Sequence, residues 1–191
     1  MRRTRSCEVY IDGASRGNPG PSGIGVVVMG LPAAPSARHA KHRAHDGQSV
    51  APAGGTAGPA RQLSIYLGET TNNVAEYLAL VYALQEALKD GYTEVVVKTD
   101  SELLARQING QYRVRDPQLR LFHGLAVHLA KGFHACLVEH IPRIQNRLAD
   151  RLAGQAVRRA APTFGTQDTR HRTRSTSVVP RSNTGDTLFD N

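Results

Sequence analysis

Four carboxylates, Asp12, Glu76, Asp100 and Asp150, stand at the margins of the apolar runs in this chain. Each has an ordinary explanation taken singly. Asp12 precedes Gly13, and Asp-Gly is a common turn pair. Glu76 follows Asn73 at the spacing of a capping box. Asp100 precedes "SELLA" as an N-cap would, a role that contributes ~1 kcal/mol. Asp150 in "NRLADRLA" suits the wet face of a helix. Gathered together they mean something else. Carboxylates at close range repel and raise one another's pKa, so stability gives no reason to collect four of them. A pair of divalent cations would neutralise them. Hard ions such as Mg2+ prefer carboxylate and water oxygens and often hold substrate phosphate as well. Two such ions ~4 Å apart can activate a water and stabilise the leaving oxygen of an in-line phosphoryl displacement.

That chemistry requires a fold that brings the acids together. "CEVYID" (7–12) and "GIGVVVM" (23–29) read as the first two strands, joined by the Gly, Asn and Pro-rich run "GASRGNPG". "QLSIYLGE" (62–69) alternates apolar and polar residues and completes an antiparallel set of three. "TTNN" (70–73) signals a helix start, and Tyr77, Leu80, Val81, Leu84 and Leu88 then recur at helical spacing up to Gly91. "EVVVKTD" (94–100) has the continuous apolar character of a buried strand, entered from a helix and so able to run parallel to the first. A short helix ending at Gly110 follows. Next come a helix with Pro117 in its first turn, the strand "HACLVEHI" and the amphipathic helix "NRLADRLAGQAVRRA". The order β-β-β-α-β-α-α-β-α predicts an α/β fold with one mixed five-stranded sheet flanked by helices. If the first and fourth strands are neighbours, Asp12 and Asp100 meet at their carboxyl ends, where α/β sheets usually bind ligands.

Composition narrows the partner. The 191 residues carry a net charge of +8, which favours a polyanion such as nucleic acid. Cys7 and Cys136 are too few for a disulfide framework and read as buried thiols in a reducing cytoplasm. No apolar run approaches the ~20 residues that span a bilayer. "MRRTRS" (1–6) is a basic leader followed by "CEVYID" rather than by a signal-peptide core, so export is not expected. The segment at about 31–61 is rich in Ala, Pro, Gly, Arg and His and reads as a disordered insertion. On that reading its His39, His42 and His45 would have no fixed backbone on which to assemble a metal site. After Pro162 the chain turns polar and aperiodic, a disordered tail over 162–191.

Four blocks, "YIDGASRGNPGPSGIG", "TTNNVAEYLAL", "VKTDSELL" and "NRLADRLA", closely resemble the catalytic blocks of type 1 ribonuclease H in order, spacing and flanking residues. The resemblance covers a domain at 7–161. It implies a ribonuclease H-like fold and a two-metal endonuclease that hydrolyses the RNA strand of RNA/DNA hybrids, leaving 3′-hydroxyl and 5′-phosphate ends. The metal ligands then fall on Asp12, Glu76, Asp100 and Asp150, with two Mg2+ ions per site and Mn2+ as the alternative. It also implies that Gly13, Ala14, Ser15 and Asn18 meet 2′-hydroxyls, the group that separates RNA from DNA. Thr71 and Asn72 would hold a DNA-strand phosphate at a helix N-terminus, and Asn73 a base or ribose. Glu102 stands where many relatives carry Gln, and an acid can accept but not donate there.

Two departures point to the shorter branch of that family. Only "GQYRVRDP" occupies the place of the basic, Trp-bearing protrusion of longer relatives, and the chain has no Trp. Longer relatives carry a proton-handling histidine in a loop before the last helix. His140 stands at a plausible distance from Asp150 for that role but also reads as the end of the fifth strand, and the shorter branch tends to carry Arg in this loop. Arg143 is therefore preferred over His140 as the auxiliary group. Arginine cannot act as a base at neutral pH, so its part is charge stabilisation near the leaving group. A monomer is expected, and Leu188-Phe189 in the tail weakly resembles a docking motif for a replication protein. Two other readings stay open: a non-catalytic hybrid-binding module, and a 3′-5′ exonuclease on the same fold. The exonucleases usually place a second acid two residues after the first, and here that residue is Ala14.

Overall fold

The structure, a computed structural model, describes residues 4–31 and 61–160. The insertion, with its three histidines, and the tail, with Leu188 and Phe189, lie outside the described residues apart from Leu31 and Arg61. The elements are β1 (Ser6–Ser15), β2 (Gly20–Gly30), β3 (Arg61–Thr70), α1 (Asn72–Lys89), β4 (Glu94–Thr99), α2 (Glu102–Ile108), α3 (Pro117–Ala130), β5 (Ala135–His140) and α4 (Arg147–Ala160). A 3-10 turn (Arg143–Gln145) precedes α4. Among the described residues no helix is long and apolar enough to cross a membrane.

The five strands form one sheet in the order β3-β2-β1-β4-β5. β1 pairs antiparallel with β2 and parallel with β4; β2 pairs antiparallel with β3, and β4 parallel with β5. The expected mixed sheet is therefore present, with β1 and β4 as neighbours. Tight turns can join only antiparallel strands, whereas α1 carries the chain across to a parallel partner. Val9, Ile11, Val26, Val28, Val95 and Val97 fill the central strands and are buried. Tyr77, Leu80 and Leu84 of α1 join them in one core. Each such large side chain contributes roughly 1.5–3 kcal/mol through burial.

Two glycines let the helices sit close on opposite faces. Gly13 and Gly25 occupy adjacent positions in the β1–β2 register, Gly13 against Ile24 and Gly25 against Asp12, and so face opposite ways. A Cβ on Gly13 would lie 2.3 Å from the Glu76 amide nitrogen of α1. One on Gly25 would lie 2.0 Å from the Ala149 carbonyl of α4. Glu76 and the residue before Asp150 thus rest against backbone that has no side chain.

Three local expectations need correction. β1 continues through Ser15 and β2 starts at Gly20, so the loop is Arg16–Pro19 and Asp12 lies within a strand rather than in a turn. The N-cap of α1 is Thr71, not Asn73: its Oγ1 accepts from the Val74 amide at 3.3 Å. Glu76 is therefore beyond the first turn and no part of a capping box. The N-cap of α2 is Ser101, whose Oγ accepts from Leu104, which leaves the Asp100 carboxylate out of that helix's start.

Candidate active site

The parallel β1–β4 ladder ends at the pair Ile11 and Thr99. Asp12 and Asp100 are the next residues on each chain, so they emerge side by side where the two strands part. Glu76 comes from α1 and Asp150 from the first turn of α4. All four line one cleft of about 410 Å³, together with Gly13, Ala14, Ser15, Asn72, Ser101 and Arg143.

Burial and mutual repulsion set the electrostatics. Asp12 is 6% exposed and Glu76 is 7% exposed. The Asp12 carboxyl is pushed from the ordinary 3.8 up to about 7. Burial is the largest cause, followed by the charges of Asp100 and Asp150, while Arg143 pulls the other way. Glu76 is raised well above its ordinary value, again by burial first and then by Asp12 and Asp100; the Gly13 amide and Arg143 oppose the shift. Two of the acids have partners. Asp100 Oδ1 accepts from Asn146 Nδ2 at 2.7 Å, and Asp150 Oδ1 accepts from Arg143 Nη2 at 2.6 Å. Glu76 Oε2 is buried and has none.

That orphaned oxygen is the test of whether a cation fits. A buried oxygen with no donor is costly, and Glu76 lines a cleft walled by three further carboxylates. An all-oxygen donor set suits Mg2+ or Mn2+ rather than zinc. Among the described residues no three His, Cys, Asp or Glu side chains stand close enough together to hold one metal ion between them. Mg2+ retains several waters and takes only one or two carboxylates directly, so an open cleft of this kind fits it.

The remaining predicted site residues divide. Gly13, Ala14 and Ser15 line the cleft, and Ser15 Oγ donates to the Thr70 carbonyl at 3.1 Å. Asn18 Oδ1 accepts from the Asn72 amide at 3.1 Å, tying the β1–β2 turn to the start of α1. Thr71 serves as the cap, and Asn72 and Asn73 are exposed beside it. Glu102 and His140 do not line that cleft. They line a separate groove of about 740 Å³ with Arg106 and Tyr112, and Glu102 is paired with Arg106 at 2.6 Å. His140 ends β5 opposite Thr99 of β4, one strand removed from β1 and Asp12. The 3-10 turn after Pro142 then carries the chain back and delivers Arg143 to the cleft instead. Two contributors escaped sequence reasoning. Asn146 looked like the start of a helix, and Gly25 like any strand glycine. Only the close approach of α4 distinguishes them.

A family model described as reverse transcriptase-like matches residues 60–156. With the sheet order and the close relatives below, this chain belongs to the type 1 ribonuclease H-like family. It is 36% identical over 148 residues to the ribonuclease HI of Halobacterium salinarum, covering 78% of this chain and 62% of that protein. It is 38% identical over 153 residues to the bifunctional protein Rv2228c of Mycobacterium tuberculosis, covering 80% of this chain and 36% of that one. The chain therefore spans less than two thirds of the length of either relative. Among solved structures, the N-terminal RNase H domain of Rv2228c superposes with a TM-score of 0.63 at 36% identity, over 80% of this chain and 98% of that one. LC11-RNase H1 in complex with an RNA/DNA hybrid gives 0.61 at 34% identity, over 81% and 98%.

Proposed function

We propose that this protein is a divalent-metal-dependent endoribonuclease that hydrolyses the RNA strand of RNA/DNA hybrids. The observation that carries the reading is the convergence of Asp12, Glu76, Asp100 and Asp150 on one cleft, with a buried Glu76 oxygen that no protein donor satisfies. The hybrid-bound relative LC11-RNase H1 supports the choice of substrate. Asp12, Glu76, Asp100 and Asp150 would hold two Mg2+ ions, or Mn2+ in their place. When bound, the ions supply activation of the attacking water and charge neutralisation at the leaving oxygen.

The chain's own residues do the rest. Gly13, Ala14 and Ser15 line the same cleft as the acids and would meet the RNA 2′-hydroxyls there, while Asn18 ties their loop to α1. Thr71, Asn72 and Asn73 present the start of α1 to a phosphate, whose charge the helix dipole favours. Arg143 keeps its positive charge at any working pH. Its hydrogen bond to Asp150 raises its pKa further, so it stabilises negative charge and never removes a proton. Glu102 and His140, in the neighbouring groove, take no part in the chemical step. The net charge of +8 draws the polyanion in, and binding weakens as salt rises. A monomer in the cytoplasm completes the proposal, in keeping with the free thiols of Cys7 and Cys136.

The discriminating experiment uses a hybrid labelled at the 5′ end of its RNA strand, with Mg2+ or Mn2+ and then with a chelator. Internal cuts whose labelled fragments end in 3′-hydroxyls, and that vanish on chelation and return with metal, are expected. Shortening from one end would favour an exonuclease, and binding without cuts a passive hybrid-binding module.

A further inference from the structure

We infer that Asn146 is a positioning residue that aims the Asp100 carboxylate into the cation cleft, an inference that rests on the metal-dependent reading above. Asn146 is 1% exposed and ranks with the largest fully buried side chains. Its Nδ2 donates twice, to the Ile11 carbonyl at 2.8 Å and to Asp100 Oδ1 at 2.7 Å. Both partners are acceptors, so the amide can face them only through its nitrogen. Its backbone carbonyl accepts from the Asp150 amide at 3.1 Å. One residue thus contacts the backbone just before Asp12, the side chain of Asp100 and the turn that carries Asp150.

A purely local role does not account for this arrangement. An asparagine ahead of a helix ordinarily turns its side-chain oxygen to the free amides of the first turn. Here Oδ1 is buried without a partner, and the amide nitrogen is directed to the sheet. Asn146 therefore forgoes the cap and leaves a polar atom unsatisfied, a cost of ~1–3 kcal/mol, while keeping one Asp100 oxygen in place. With that oxygen held, the carboxylate cannot rotate freely, and its second oxygen remains for the cleft that Asp100 lines. Groups that orient metal-binding side chains in this way are typically worth 10–100-fold in metal affinity.

The test uses the full chain. Mn2+ binding is measured by calorimetry for the parent, Asn146→Ala and Asn146→Leu, the last of which retains volume without a donor. At least about 10-fold weaker Mn2+ binding by the variants is expected. A matching rise in the Mn2+ needed for half-maximal hybrid cleavage should accompany it, with the KM for hybrid unchanged. Variants that bind Mn2+ like the parent, or lose turnover without a changed metal requirement, overturn the inference. A parent that binds no Mn2+ overturns the metal reading itself, and this inference with it. Should neither variant fold, the parent still decides the matter through its NMR spectrum. The Asn146 side-chain amide signals must shift in step with Mg2+ saturation, and signals that stay put refute the role.

Discussion

Asp12→Asn is expected to lower the rate of RNA-strand cleavage by on the order of 1000-fold or more, the scale on which removing one member of a cooperative catalytic set acts. Binding of the hybrid should persist, because asparagine keeps the shape of the side chain and the backbone of Gly13 to Ser15 is untouched. The same substitution should stabilise the metal-free protein at pH 8. The sign follows from the raised carboxyl, at about 7 when folded against the ordinary 3.8. Between those values the folded state binds the proton more tightly than the unfolded chain. Stability is therefore lost as pH rises through that window and stays low above it. Asparagine carries no charge to bury, so its advantage is full at pH 8 and fades as pH falls towards 4. Tm should rise by roughly 2–4 °C for each kcal/mol relieved. Melting curves at pH 8 and pH 4.5, beside a hybrid cleavage assay, check both halves. A cleaving variant, or one no more stable than the parent at pH 8, would be evidence against a strained acidic cluster.

Gly25→Ala should damage the site without touching an acid. The new Cβ would lie 2.0 Å from the Ala149 carbonyl and 2.7 Å from the Ala153 amide nitrogen. Both are helix backbone, so no flexible side chain can yield, and α4 must move away from the sheet. Forced overpacking of this kind costs ~1–3 kcal/mol, occasionally more. Asp150 follows Ala149 directly and moves with it. A displacement of about 1 Å at a reacting centre can cost ~100-fold in rate, so the fall in kcat should exceed what the loss of folded protein explains. Denaturant midpoints together with kcat on the folded fraction measure the two effects. Unchanged stability would mean that α4 does not pack on Gly25 as closely as described.

Much of this architecture is legible before any coordinate, for physical reasons. The alternating strands and the helical recurrence of Tyr77, Leu80 and Leu84 follow from burial. β3 runs parallel to β1, and the crossover through α1 sets β4 parallel to both. What was not legible turned on choices between chemically similar neighbours. Thr71, Asn72 and Asn73 are all good N-caps, and only the path of the backbone selects Thr71. Asp100 and Ser101 pose the same ambiguity, and resolving it in favour of Ser101 is what leaves the carboxylate to the cleft. The 3-10 turn that separates Arg143 from His140 leaves no periodic signature in three residues. Asn146 was hidden for a related reason, since an asparagine before a helix reads as a cap whether or not its side chain caps anything.

The central claim is that four acids from β1, α1, the end of β4 and α4 share a pair of divalent ions. Anomalous diffraction at the manganese edge tests it most directly, on crystals of the protein with Mn2+ and a hybrid carrying a non-cleavable linkage. Two peaks about 4 Å apart in the cleft are expected, with Asp12, Glu76, Asp100 and Asp150 around them. Peaks elsewhere, or none in a cleft that holds the hybrid, would contradict it.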